Sequence, residues 1–62
     1  MVRLYADRIE RGLYDYNSTA LAYVRIKDKI TEQMRADVIT GRNGMTAQKF
    51  EDITGKPFAE EA

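Results

Sequence analysis

The stretch Met45-Thr46-Ala47-Gln48-Lys49-Phe50-Glu51-Asp52-Ile53-Thr54-Gly55 reads as one complete short helix with both ends marked. Thr46 is placed to offer its side-chain oxygen to the free amides of the first turn, and Gly55 to take the left-handed backbone that ends a helix. Met45 just outside and Phe50 in the first turn have the spacing of an apolar staple across the helix start. The spacing predicts a helix over Ala47–Thr54.

Working outward, the chain nearly repeats itself. Ile30-Thr31 opens a segment that closes on Ile39-Thr40-Gly41, and the second closure, Ile53-Thr54-Gly55, follows 14 residues later. By the same logic Thr31 caps a helix over Glu32–Thr40 that Gly41 terminates. This copy lacks the staple, because Arg35 stands where an apolar partner would be, and neither Thr has a Glu or Gln three residues on to complete a capping box. Arg42-Asn43-Gly44 between the copies is a turn. Pro57 prevents continuation beyond Lys56, Phe58 is placed to tuck back, and Ala59-Glu60-Glu61-Ala62 is expected to fray. Residues 1–58 are expected to form a single domain.

Toward the start, Val2, Tyr5 and Ile9, with Leu4 beside them, give an apolar face at helical spacing. A helix is predicted over Val2–Arg11, with Arg8 and Arg11 in its last turn and Gly12 as its stop. The region 13–27 admits three readings. A helix from Thr19 to about Lys27, capped by Asn17 or Ser18, is one. A hairpin pairing Leu13–Tyr16 with the β-branched and aromatic run Leu21-Ala22-Tyr23-Val24-Arg25-Ile26 is the second. The third is a continuous helix through Asp28, since Ile26, Ile30, Met34 and Val38 recur at steps of four. The expected fold is therefore mainly α, a small bundle of three to four short helices, with an α+β alternative carrying a hairpin at about 13–27.

With 62 residues the chain lies near the lower limit of independent folding, where one core supplies only about 3–5 kcal/mol. The usual staples are missing: there is no Cys for a disulfide, and neither Cys nor His for a structural zinc. Helix packing, self-association or docking on a larger partner must supply the stability. The hydrophobic fraction, 44%, is that of an ordinary globular chain. Ten bases balance ten acids, which is far from the electrostatic footprint of a nucleic-acid binder. The balance is uneven along the chain: residues 1–27 carry a net +2 and residues 28–62 a net −2, a polarity suited to head-to-tail contacts. No apolar run approaches the ~20 residues of a membrane span, and Met1–Arg8 lacks a signal peptide's apolar core, so synthesis in the cytosol without membrane insertion is expected.

Nothing in the chain assembles into a site for chemistry. Without His, an activated nucleophile would need a carboxylate or Lys as its base, and Ser18 and Thr19 beside Asp15 have instead the look of a helix start. Glu51 and Asp52 are neighbours on a helix and point in different directions, unlike a general acid–base couple. Asp15-Tyr16-Asn17 opens like a calcium loop, but its sixth position is Ala20 and its twelfth Ile26. Asn17-Ser18-Thr19 is formally a glycosylation sequon, with no signal peptide to deliver it. Gly41-Arg42-Asn43-Gly44 lacks the Lys-Ser/Thr end of a phosphate loop. Arg35, Arg42 and Lys49 flank the last turn as in a helix-turn-helix, but Glu32, Asp37, Glu51 and Asp52 share those helices. No catalytic residue, metal ligand or cofactor site is assigned. The candidate protein-contact residues are Tyr14, Tyr16, Tyr23, Met34, Phe50 and Phe58, which either fill a small core or dock on a partner; tyrosine suits both roles.

The order of these features resembles the XkdX-like family of very small proteins encoded in the tail-gene clusters of phages and prophage-like elements. The matching residues are Arg8-Ile9-Glu10-Arg11-Gly12-Leu13-Tyr14, then Tyr23-Val24, then the Ile-Thr and Ile-Thr-Gly segments, of which Met45–Gly55 is the closer copy. The closing module is present twice here, and Lys29 precedes Ile30 where the family has a Gly-containing turn. The resemblance implies a virion tail or tail-assembly context with no enzymatic role. The expected function is a small non-enzymatic structural or assembly protein. Its expected partner is a phage tail or other virion protein, or another copy of itself. It would be made in the bacterial host cytoplasm and possess no cofactor. The alternative is a small phage regulator that binds DNA or a host protein.

Overall fold

A computed structural model describes residues 1–58. Among them the chain forms a small all-helical bundle: α1 (Val2–Glu10), α2 (Leu21–Val24), α3 (Lys27–Thr40), a 3-10 turn (Arg42–Gly44) and α4 (Ala47–Thr54). No strand occurs among the described residues, so the hairpin alternative at 13–27 is excluded. The tail expected to fray, 59–62, lies outside the described residues.

α3 is the axis of the bundle. Its 14 residues extend about 21 Å at 1.5 Å per residue, and α1, the 3-10 turn and α4 all pack on it. Ile30, Thr31, Met34 and Asp37 face inward along one stripe, flanked by half-buried Ile26 and Val38. Around them Ala6 and Ile9 of α1, Tyr16, Tyr23, Met45 and Phe50 complete the core.

The closing module is built as its sequence dictates. Thr46 has extended backbone, and its Oγ1 accepts the Lys49 amide at 3.1 Å. Met45 and Phe50 are both buried. Gly41 and Gly55 end α3 and α4 at φ +75° and +71°, a region that costs a residue with a Cβ but not glycine. α1 stops one residue earlier than expected, at Glu10, through amide bonds from Gly12 to Ile9 and from Leu13 to Arg8.

The other copy departs from its twin. Thr31 is not a cap: α3 begins at Lys27 with Ile26 as its flanking residue, and Thr31 lies inside the helix. Its hydroxyl donates back to the Lys27 carbonyl at 2.9 Å and meets the Tyr16 hydroxyl at 2.7 Å. The reading of a helix running continuously through Asp28 holds from Lys27 onward. It fails behind that point, because Ile26 (φ −116°, ψ 10°) breaks the chain from α2. α2 itself is a single turn, shorter than the expected Thr19–Lys27. Its flanking residue is Ala20, and no side chain caps it. Asn17 and Ser18 serve a turn: Asp15 accepts the Asn17 amide on its carboxylate and the Ser18 amide on its carbonyl, and Ser18 Oγ accepts the Ala20 amide.

Phe58 does tuck back. Its ring meets Phe50 edge-on at 5.4 Å, and the Arg35 guanidinium stacks on both rings at 4.7 and 5.2 Å. Arg35 donates to the Phe58 carbonyl, while Glu51 accepts the Phe58 amide at 3.1 Å.

Candidate functional site

Three tyrosines from three separate segments converge. Tyr5 of α1, Tyr14 of the connector and Tyr23 of α2 form a triangle with ring centroids 5.2, 5.4 and 5.2 Å apart and planes inclined at 57–63°. These are tilted, edge-directed contacts that suit the ring quadrupole. Tyr23 is wholly enclosed, and its hydroxyl donates to the Tyr16 carbonyl at 2.6 Å. Burial, aided by Tyr16, Tyr14 and Asp15, pushes this phenol up to about 12. Thr31 spends its only hydroxyl proton on Lys27, so Tyr16 is the donor in the Tyr16–Thr31 bond. The Lys27 ammonium lies 4.5 Å above the Tyr16 ring.

The six contact residues expected from sequence are thereby placed. Tyr16, Tyr23, Met34 and Phe50 are core residues with no surface to offer a partner, while Tyr14 and Phe58 are half-buried against that core. Their inward placement has a simple cause: a bundle this small turns its largest side chains inward because it has little else to bury. Tyrosine is amphipathic enough to serve a core or an interface, and here backbone and Thr acceptors take the buried hydroxyls. The surface left to a partner is aliphatic. Leu13, Leu21 and Val24 are 65%, 66% and 48% exposed, and Met1, Leu4 and Ile39 are also exposed. Leu13 precedes Tyr14 and the α2 pair brackets Tyr23, so the first three belong to the segments that build the ring triangle. Leu21 and Val24 are three apart on α2 and share a side, with Tyr23 turned inward. The sequence signal was available: α2 has three large apolar residues, and one turn can face only one of its sides to a core.

A second cluster gathers carboxyls at the ends of α1 and α3. Glu10 and Asp37 are both buried. Asn43, held at φ 55° in the 3-10 turn, donates its side-chain amide to Asp7 and to Glu10, both at 2.9 Å. Gln33 donates to Asp37 at 2.9 Å. The Asn43 bond, with Arg11 and Arg42 in support, holds the Asp7 carboxyl below its ordinary range. Glu10 goes the other way: burial, then the neighbouring Asp37 carboxyl, push it up to about 8. No group of acidic residues suited to a metal occurs among the described residues. Beside Asp7, an open cleft of about 390 Å³ is lined by Met1, Arg3, Leu4 and Arg42.

Ser18, Asp15, Glu51 and Asp52 are each engaged in short-range bonds. Ser18 Oγ bonds the Tyr14 hydroxyl at 2.9 Å, and Asp15 turns its carboxylate to the Asn17 amide, so no nucleophile–base pair forms there. Glu51 bonds Phe58 and Asp52 bonds Gln48, so these two acids diverge. No helix among the described residues is long and apolar enough to cross a membrane. No family model matches the chain, and no curated protein or solved structure proves significantly similar to it.

Proposed function

We propose that the protein is a small non-enzymatic structural or assembly component of a phage tail that works by protein–protein contact. The observation that carries this reading is the outward-facing aliphatic set Leu13, Leu21 and Val24 on a domain with little core to spare. Full burial of one such side chain is worth about 1.5–3 kcal/mol, so covering three would rival the stability of the whole fold. The tail context comes from the resemblance of Arg8–Tyr14 and of the two Ile-Thr-Gly closures to tail-cluster proteins. The protein would be made in the host cytoplasm and act at the virion tail or during its assembly, bound to a tail protein or to a second copy.

DNA binding finds less support. The α3–turn–α4 unit exposes Arg42 and Lys49, but also Glu32, Glu51 and Asp52, which would repel a phosphate backbone.

Co-expression with the products of adjacent genes, followed by affinity capture and sedimentation, tests the proposal. Recovery of a defined tail component, or a stable oligomer, supports it. A monomer that captures no tail component and shifts DNA in a salt-dependent manner overturns it.

A further inference from the structure

Glu10 and Asp37 present a problem of charge that the fold must solve. Glu10 is 8% and Asp37 4% exposed, and each occupies the last turn of its helix. The free carbonyls of a helix C-terminus carry partial negative charge, so two helix ends here disfavour any further anion. Glu10 Oε1 accepts Asn43, yet Oε2 is buried without a donor. A buried carboxylate oxygen with no hydrogen-bond partner is costly, whereas a protonated one becomes a donor itself.

The surrounding groups do not offset a second charge. On α1, Asp7 is a further anion, and Arg11 is paired with it at 3.3 Å. On the 3-10 turn, Arg42 also acts on Asp7, and Asn43 is a neutral donor. On α3, Gln33 is a neutral donor to Asp37.

We propose that Glu10 and Asp37 share a single proton and form a pH-operated latch joining the end of α1, the last turn of α3 and the Asn43 turn. In the closed state Glu10 carries the proton and donates it to the Asp37 carboxylate. When the proton leaves to solvent, two anions face each other in a poorly solvated seam. The seam then loosens, and α1 begins to separate from α3 at that end. The upward shift of the Glu10 carboxyl agrees with this arrangement. The latch does not depend on which partner the protein binds.

The test is a carbon-13 titration of side-chain carboxyls in the intact protein, with the Asn43 side-chain amide followed in parallel. One Glu should titrate well above the usual carboxylate range, and the Asn43 signals should move with the same midpoint. Glu10→Gln keeps the shape and supplies a permanent donor, so it should abolish that transition and flatten the dependence of melting temperature on pH. Asp37→Asn should bring Glu10 back toward its ordinary value. A Glu10 that titrates normally in the native protein overturns the latch, as does an undiminished pH dependence in a folded Glu10→Gln variant.

Discussion

The Tyr23 hydroxyl donates to the Tyr16 carbonyl at 2.6 Å, clasping a seven-residue excursion between the connector and α2. Together with the Tyr16–Thr31 bond, it ties down a segment in which Asp15, Ser18 and Ala20 supply only local turns. Removing the hydroxyl while keeping the ring leaves a buried carbonyl unpaired, at a cost of about 1–3 kcal/mol. Tyr23→Phe should therefore lower the urea midpoint with little change in slope, and Tyr23→Ala should leave the chain largely unfolded by circular dichroism.

The two threonines that look alike in sequence should respond oppositely to the same substitution. Asp caps helices well, so Thr46→Asp should be neutral or mildly stabilising, whereas Thr46→Ala should cost about 1 kcal/mol. Thr31→Asp would bury an anion against Tyr16 and should be strongly destabilising. Thermal melts of the three variants check this.

Asn43 combines a left-handed backbone with two side-chain bonds, and two variants separate these contributions. Asn43→Gly relieves the φ 55° conformation but loses the bonds to Asp7 and Glu10. Asn43→Ala loses the bonds and adds strain of about 1 kcal/mol. Alanine should be the less stable of the two, and the gap measures the strain.

Stability should peak in mildly acid solution rather than at neutrality. Asp7 has a folded pKa below its unfolded 3.8, so its contribution is present above that value and is lost as pH falls through the folded one. Glu10 has the opposite sign. Its folded pKa exceeds the unfolded 4.5, so the folded state holds more protons between 4.5 and about 8, and stability declines across that window. Melting temperatures from about pH 3 to 9 should trace a maximum near the lower edge of the Glu10 window. A plateau centred on pH 7 would contradict this reading.

The surface residues Leu13, Leu21 and Val24 offer a test of function separate from folding. A triple Ser variant should melt within about 1 kcal/mol of the parent, since exposed side chains contribute little. It should nevertheless lose at least tenfold in affinity for whatever partner the parent captures, read by sedimentation or calorimetry. Equal binding by both proteins would move the contact surface elsewhere.

What the sequence disclosed about the fold tracks the range of the interactions involved. Ala47–Thr54 is legible because its signals lie within one turn of its ends: Thr46 caps it, Met45 and Phe50 bracket the start, and Gly55 stops it. Gly12 and Gly41 act at similarly short range. Thr31 misleads because its partner, Tyr16, lies 15 residues away and claims the hydroxyl that local spacing assigns to a cap. Region 13–27 is ambiguous for the same reason, since its form depends on tyrosines meeting across three segments. The acid pair escapes notice entirely. Glu10 and Asp37 look like ordinary surface charges until α1 and α3 are laid side by side, and only then does their burial become visible. The rings, whose chemistry suits a core or an interface, go to the core, and the exposed apolar surface is aliphatic.

The grip of Arg35 and Glu51 on Phe58 also fixes a direction. Phe58 is thereby held in the seam between α3 and α4 rather than beyond the tip of the last helix. A fluorophore attached at exposed Lys56, beside this anchor, therefore starts from a fixed origin. Distances measured from such a label would report the orientation of the domain on its partner.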